Sequence, residues 1–193
     1  MTDGTPTPRS RRAFLATTGL VGVGALAGCL GGKTDAPTAD PVALTGTKQC
    51  EVCGMIIEQH PGPTAQFFYG DGGPDHEGPA WFCSAWEGFQ YDFQADDRGW
   101  TSEGGYVTDY STVDYEVSTD GGERFISAHL EPAAFSPVDD VVYVVDSEVK
   151  GAMGDDLVPF GEREDADAFA EQYGGEVVGY DAVTPELIGQ IGR

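Results

Sequence analysis

Sulfur-containing side chains are concentrated in one short segment of the chain, CEVCGMI at residues 50–56. This segment holds two of the four cysteines and one of the three methionines. Apart from the initiator, the other methionine is Met153, in the glycine-flanked segment GAMG at 151–154. A methionine that fills a gap in a core normally lies on the apolar face of a helix or strand. Flanking glycines instead indicate a tightly bent backbone, so both methionines are candidate ligands.

Thiolate and thioether groups together form a soft ligand set. Such a set favours Cu(I), because zinc takes cysteine sulfur, nitrogen and oxygen but rarely a thioether. We therefore predict one Cu(I) site per chain, with Cys50, Cys53 and Met55 from one half and Met153 from the other. A site shared between two halves can open by a small relative motion, which favours release to a partner over permanent storage.

Several other chemistries fit the same thiols. The C-x-x-C motif of Cys50 and Cys53 occurs in redox proteins, although there it starts a helix and here it leads into Met-Ile-Ile. A plain disulfide across two residues is short and tends to be strained. Together with His76 and Cys83, the pair could instead hold a structural zinc ion. The alternative function is a thiol–disulfide or organomercurial-type enzyme that uses the three cysteines.

The remaining candidate donors receive weaker assignments. Cys83 lies among aromatic residues, so we predict a buried core thiol. His60, His76 and His129 are expected at the surface or in hydrogen bonds, and His60, beside a turn close to the cluster, is the only one considered as a third or exchangeable donor. The sequence has no nucleophile motif, phosphate loop or HExxH-type helix, and we predict that the protein is not an enzyme.

The elements that must position these residues follow one order in both halves. In the first half the pattern predicts a hairpin of strands at 55–57 and 65–69, an amphipathic helix over 80–94 and a strand over 106–117. In the second half it predicts strands at 141–145, 157–160 and 176–180, with a helix over 162–173. Pro159 indicates an edge strand, and Thr184-Pro185 begins a last short helix.

The predicted fold is therefore α+β, with two small ββαβ units at 50–118 and 125–193. Units of this size bury little surface alone, so we expect them to pack together.

The N-terminal segment has the pattern of an export signal. Paired arginines, Arg11 and Arg12, precede an apolar run over 16–28 that ends in Leu-Ala-Gly before Cys29. The run is too short to span a bilayer. We predict a twin-arginine lipoprotein signal at 1–28, lipid on Cys29 and a flexible tether over 29–49. The folded part is then anchored at the outer face of the cell membrane.

Acidic residues dominate the charge of the chain. There are 33 acidic and 10 basic residues among 193, a formal net charge of −23, and the acids are scattered through every segment. Nucleic acid is excluded as a partner, because phosphate contacts require clustered Lys and Arg. Since molar salt screens such repulsion, the acidity indicates a halophilic protein. An acidic surface shaped for a basic partner is the alternative.

A series of motifs then follows in order along residues 10–182: CEVCGMII at 50–57, PGP at 61–63, FCS at 82–84, GAMG at 151–154 with PF at 159–160, and DA to GG at 165–175. In this order they resemble the NosL family of nitrous oxide reductase accessory lipoproteins, in a haloarchaeal type. The acidic enlargements at 70–79 and 96–105 depart from the pattern of the family.

The resemblance implies a function as well as a fold. It implies a lipid-anchored Cu(I) chaperone that supplies copper for the copper–sulfide centre of nitrous oxide reductase, with a membrane ABC-type maturation complex as partner. It implies two ββαβ units, akin to part of organomercurial lyase. It also implies binding roles for Cys50 or Cys53 and for Met153.

Overall fold

The computed structural model describes residues 39–191, which contain ten strands and three helices. The predicted signal and Cys29, the predicted site of the lipid, lie outside the described residues. The elements of the first half are β1 (Ala65–Tyr69), β2 (Ala80–Phe82), α1 (Ala85–Asp92), β3 (Ser102–Thr108), β4 (Val117–Asp120) and β5 (Glu123–Ile126). Those that follow are β6 (Phe135–Pro137), β7 (Val142–Val145), β8 (Val149–Lys150), β9 (Val158–Phe160), α2 (Arg163–Tyr173), β10 (Glu176–Gly179) and α3 (Pro185–Ile188).

A four-stranded antiparallel sheet forms the first half, in the order β2-β1-β3-β6. The central strand β1 has the sequence AQFFY, and α1 packs on it at Gly88. A Cβ atom at position 88 would lie 2.9 Å from the ring of Phe67 and 3.0 Å from the Cβ atom of Ala65. Glycine is therefore required for this close approach of helix and strand.

The second half repeats this arrangement with β7 at the centre of a three-stranded sheet, order β10-β7-β9. Both neighbours of β7 are antiparallel to it, and α2 connects β9 to β10. Pro159 lies in the edge strand β9, where a missing N–H group disrupts no further pairing. Strand, strand, helix, strand thus occurs in both halves, and the predicted α+β fold class is confirmed.

The elements of the second half were predicted well. The strands at 141–145, 157–160 and 176–180 are found within one residue of their predicted bounds, as is the helix over 162–173. Thr184 caps the last helix by accepting a hydrogen bond from the backbone N–H of Leu187 at 3.3 Å. Pro185 is its first residue, as predicted.

Three predictions for the first half were wrong. Residues 55–57 form no strand, because the chain enters a 3-10 turn, Ile57–Gln59, and Ile56 makes only an isolated bridge with Gln49. The hairpin partner of β1 is instead β2, whose residues were assigned to the predicted helix. The strand over 106–117 ends at Thr108, and its last residue begins β4 in a small sheet of order β4-β5-β8.

The predicted flexible tether over 29–49 is too long at its C-terminal end. Leu44 is fully buried, and its N–H group donates to the carbonyl oxygen of Leu130 at 2.8 Å. Val42 exchanges two hydrogen bonds with the side-chain amide of the buried Gln66, at 2.8 and 3.0 Å. Residues 42–49 therefore belong to the folded part of the chain.

The two halves share a core and direct hydrogen bonds. One cluster of buried side chains includes Phe67 and Phe89 from the first half and Tyr143 and Leu157 from the second. The indole N–H group of Trp86 in α1 donates to the carbonyl oxygen of Ile188 in α3 at 2.8 Å. Within residues 39–191, no helix has the length and apolar character needed to cross a membrane.

Candidate metal centre

A tight turn presents the first two thiols. The N–H group of Cys50 donates to the carbonyl oxygen of Met55 at 2.9 Å, and the N–H group of Gly54 donates to the carbonyl oxygen of Cys50 at 2.9 Å. Gly54 has a φ of 72°, a conformation that favours glycine. The N–H group of Glu51 donates to the carbonyl oxygen of Trp81, which attaches the turn to β2.

The junction between β2 and α1 presents the third thiol. Cys83 directly follows β2, and Ser84 is the N-cap of α1, accepting a hydrogen bond from the N–H group of Glu87 at 3.2 Å. A cap of this kind fixes where a helix begins. Glu87 then lies one turn from Cys83, so both side chains point to the same side of the helix start.

These residues bring three thiols and one carboxylate together. The Sγ atoms of Cys53 and Cys83 are 3.5 Å apart. The thiols of Cys50 and Cys83 both donate to Oε2 of Glu87, at 3.1 and 3.2 Å. One ligand atom from each of the four residues lies within 4.8 Å of the others. Among the described residues, this is the only group of three or more such side chains placed to share a metal ion.

Burial and mutual hydrogen bonds set the proton distribution in this group. The neighbouring thiol of Cys83 lowers the pKa of Cys50 to about 4, and the same interaction raises the pKa of Cys83. Burial raises the pKa of Glu87 to about 8 and also raises that of Cys53. Deprotonation of the thiols is thus coupled to Glu87, and a cation that replaces thiol protons would compensate the buried negative charge.

The three cysteines among residues 39–191 form no disulfide. Cys50, Cys53 and Cys83 are all free thiols, so the plain disulfide is not formed. Cys83 is fully buried, as predicted, but it is not an inert core thiol, because it contacts Cys53 and Glu87. Glu87 was missed by the sequence analysis. Its spacing of four residues from Cys83 on an amphipathic helix was the available signal.

Both methionines are more exposed than Cys50 and Cys83. Met55 is half-buried and packs against the core cluster that contains Cys50 and Cys83. Met153 is 41% exposed at the tip of a turn in which Gly151 and Gly154 exchange backbone hydrogen bonds. Met55 and Met153 stay predictions as ligands.

The histidines do not join the group of thiols. His76 stacks on the indole of Trp81 at 3.9 Å and pairs with Glu51 at 2.7 Å, which leaves the proposed zinc set without its histidine. His60 lines an open cleft of about 410 Å³ next to β4 and β5. His129 bonds the hydroxyl group of Ser127 at 3.1 Å, as expected of a hydrogen-bonded histidine.

Comparisons with known proteins agree with the fold and identify a family. The sequence profile of the NosL family matches residues 41–188. The copper-binding lipoprotein NosL of Stutzerimonas stutzeri is 32% identical over 163 residues, which are 84% of this chain and 76% of that protein. The crystal structure of the copper chaperone NosL from Shewanella denitrificans matches with a TM-score of 0.58 and 27% identity, over 78% of this chain and 99% of that one.

The fold and the site define a small α+β protein with a group of buried and half-buried thiols able to hold a soft metal ion. The chain belongs to the NosL family. Its relatives are named as copper-binding and copper-chaperone proteins and not as enzymes, in agreement with the predicted absence of catalysis.

Proposed function

We propose that this protein is a lipid-anchored metallochaperone that supplies Cu(I) for the maturation of nitrous oxide reductase. The observation that carries the proposal is the group of three free thiols and one carboxylate within 4.8 Å, in a member of the NosL family. Copper is the cargo of the protein, and the chain supplies ligands and a path for release.

The ligand set supports the monovalent state of copper. Thiolates and thioethers are soft donors, and a site rich in them selects Cu(I) over harder divalent ions. Cys50, Cys53 and Cys83 provide the thiols, and Met55 and Met153 are the proposed thioether donors. Binding then replaces the thiol protons that Glu87 now accepts in hydrogen bonds.

The difference in solvent exposure among the donor side chains supports transfer of copper to a partner. Cys50 and Cys83 are 3% and 0% exposed, whereas Cys53 is half-buried and Met153 is exposed. An incoming donor group can therefore approach copper from the side of the half-buried Cys53 while the buried thiols still hold the ion. Stepwise exchange of this kind passes copper to a partner without unfolding the site.

The partner and the anchor are part of the same proposal. Cys29 carries the lipid after removal of residues 1–28, and the folded part faces the outside of the cell membrane. The acceptor is nitrous oxide reductase, reached through its membrane ABC-type maturation complex. The resemblance of the motifs supports these partners, and a relative named as a lipoprotein supports the anchor.

An anaerobic competition titration against a chromophoric Cu(I) chelator tests the copper site. Wild type should retain one Cu(I) per chain, and Cys50→Ser with Cys53→Ser should abolish competition. Met153→Ala should weaken binding. Val52→Ala is the matched control, because Val52 is an exposed apolar residue in the Cys50 turn with no donor atom. Equal affinity of wild type and the double serine variant would refute the proposed site.

Delivery is tested separately. The Cu(I)-loaded protein should restore the copper–sulfide centre of copper-free nitrous oxide reductase in membranes that contain the maturation complex. The double serine variant should not restore it. Restoration by free Cu(I) chelate at the same rate would contradict a chaperone role.

A further inference from the structure

A buried carboxyl group, that of Asp156, lies between the start of α1 and the Gly151–Gly154 turn. It is 2% exposed, and the ion pairs formed among residues 39–191 do not include it. Burial raises its pKa to about 7. An isolated buried carboxyl group is costly unless its hydrogen bonds compensate, so its contacts should explain why it is there.

One oxygen of Asp156 binds the start of α1. Its Oδ1 atom accepts from the backbone N–H group of Trp86 at 2.9 Å and from that of Leu157 at 2.9 Å. Trp86 is in the first turn of α1, three residues after Cys83. The second half of the chain thus supplies an acceptor to the helix start that presents Cys83 and Glu87.

The other oxygen lies against the turn that carries Met153. Oδ2 of Asp156 is buried without a hydrogen-bond partner in the described part of the chain. A Cβ atom at position 151 would lie 2.4 Å from this oxygen, so only the bare backbone of Gly151 fits there. The same added atom would lie 3.0 Å from the carbonyl oxygen of Gly62.

The turn itself is closed by its own contacts. Gly151 and Gly154 exchange backbone hydrogen bonds of 2.8 and 3.3 Å, and Met153 lies between them. Lys150 and Asp155, which flank the turn, form an ion pair. The position of Met153 therefore follows the position of this whole turn, and Gly151 of the turn lies against Asp156.

From these contacts we propose that Asp156 is a positioning residue that fixes the Met153 turn against the Cys83 end of α1. The inference rests on the proposed Cu(I) site. Asp156 does not contact the metal. It sets the distance between a thioether from the second half and the thiols from the first.

A purely structural role for Asp156 makes a different prediction. If it only caps α1, its loss weakens the fold and disturbs copper binding independently of Met153. If it acts through Met153, its loss has no further effect on copper affinity once the thioether is absent. A double-mutant cycle separates the two cases.

The test is a Cu(I) competition titration on wild type, Asp156→Ala, Met153→Ala and the double variant. We expect each single variant to lose affinity by about 10- to 100-fold, the range seen for residues that orient metal ligands. The double variant should bind as weakly as Met153→Ala alone. Asp156→Asn keeps the acceptor oxygen for Trp86 and should stay close to wild type.

Gly151→Ala keeps the test decisive if Asp156→Ala does not fold. It moves the turn without changing Asp156 and should lose as much affinity as Met153→Ala. Gly179→Ala is its control, because an added Cβ atom at position 179 would have no neighbour within 4 Å. Wild-type affinity in Gly151→Ala would overturn the inference about Asp156 and leave the proposed Cu(I) site intact. The same conclusion follows if the losses from Asp156→Ala and Met153→Ala add in full. Wild-type affinity in Met153→Ala, or no binding by wild type, would overturn the Met153 site and the inference together.

Discussion

At the residue scale, the thiol of Cys83 distinguishes this site from a simple C-x-x-C pair. It lies 3.5 Å from the thiol of Cys53 and donates to the carboxylate of Glu87 at 3.2 Å. A two-thiol site would leave Cys83 as an ordinary buried side chain. The distances instead make it a third donor within reach of the same ion.

Cys83→Ser therefore tests whether the site has three thiol donors or only two. Mutation of a residue that only orients a metal ligand lowers metal affinity by about 10- to 100-fold. Loss of a direct donor should lower it by at least as much. We expect Cu(I) affinity to fall by about tenfold or more in an anaerobic competition titration. If the variant is less stable but binds Cu(I) like wild type, Cys83 is only a core residue.

Asp156 should make stability depend on pH. Its pKa is raised by burial from 3.8 to about 7, so between these values the folded state holds a proton that the unfolded chain has lost. The resulting stabilisation is complete below about pH 4 and disappears as the pH rises through 7.

Urea unfolding of the metal-free protein measures this effect. The free energy of unfolding of wild type, minus that of Asp156→Asn, should fall from pH 4 to pH 7. A difference that does not change with pH would show that Asp156 has an ordinary pKa.

Sequence reasoning located part of the site at this scale. The C-x-x-C-G-M motif singled out Cys50 and Cys53, because spacing alone places two thiols on one turn. It missed the role of Cys83 and all of Glu87, since their contacts depend on how β2 and α1 pack on the turn. Burial of Cys83 was predicted from its aromatic neighbours, and burial is compatible with both roles.

At the element scale, the start of α1 decides the geometry of the site. Ser84 caps the helix directly after Cys83, and the capped residue is Glu87. The predicted helix over 80–94 began too early, because the aromatic spacing of Trp81 and Phe82 fits a helix, although both lie in β2. Pairing of β2 with β1 overrides that local pattern.

The two N-caps of the fold give a matched test of this claim. Ser84→Ala and Thr184→Ala should each lower the free energy of unfolding by about 1 kcal/mol, because each removes an acceptor for a first-turn N–H group. Thr184 begins α3 and takes no part in the group of thiols.

Only Ser84→Ala should therefore weaken Cu(I) binding, measured by chelator competition. Both variants should unfold at a lower temperature than wild type in calorimetry. Equal copper affinity in the two variants would show that the start of α1 does not determine the geometry of the metal site. The comparison controls for general loss of stability, since both changes remove the same kind of bond.

At the scale of the whole molecule, acidic charge and a repeated topology are the dominant features. The second half was predicted closely because its central strand is a continuous apolar run and Gly174-Gly175 marks the end of its helix. The first half was predicted less well, because its 55–57 segment is apolar without being a strand. In the small sheet β4-β5-β8, strands β4 and β5 form a hairpin that turns at Gly121-Gly122, a local signal that the sequence analysis did not use. Only β8 comes from a segment distant in sequence, so no local pattern indicates its pairing with β5.

Salt should stabilise this molecule. The formal net charge is −23, and three ion pairs are formed among residues 39–191, so most acidic groups repel one another. Raising KCl from about 0.1 M to about 1 M shortens the screening length from about 10 Å to about 3 Å. The free energy of unfolding in urea should rise over this range. Sucrose at equal osmolality is the control, and an unfolding free energy independent of KCl would contradict a halophilic surface.

The most direct measurement is X-ray absorption at the copper edge on anaerobic wild-type protein loaded with one equivalent of copper. The arrangement of three thiols beside two thioether candidates predicts monovalent copper with sulfur as its only nearest neighbours. A spectrum dominated by nitrogen or oxygen ligands, or copper that is lost on desalting, would contradict the site.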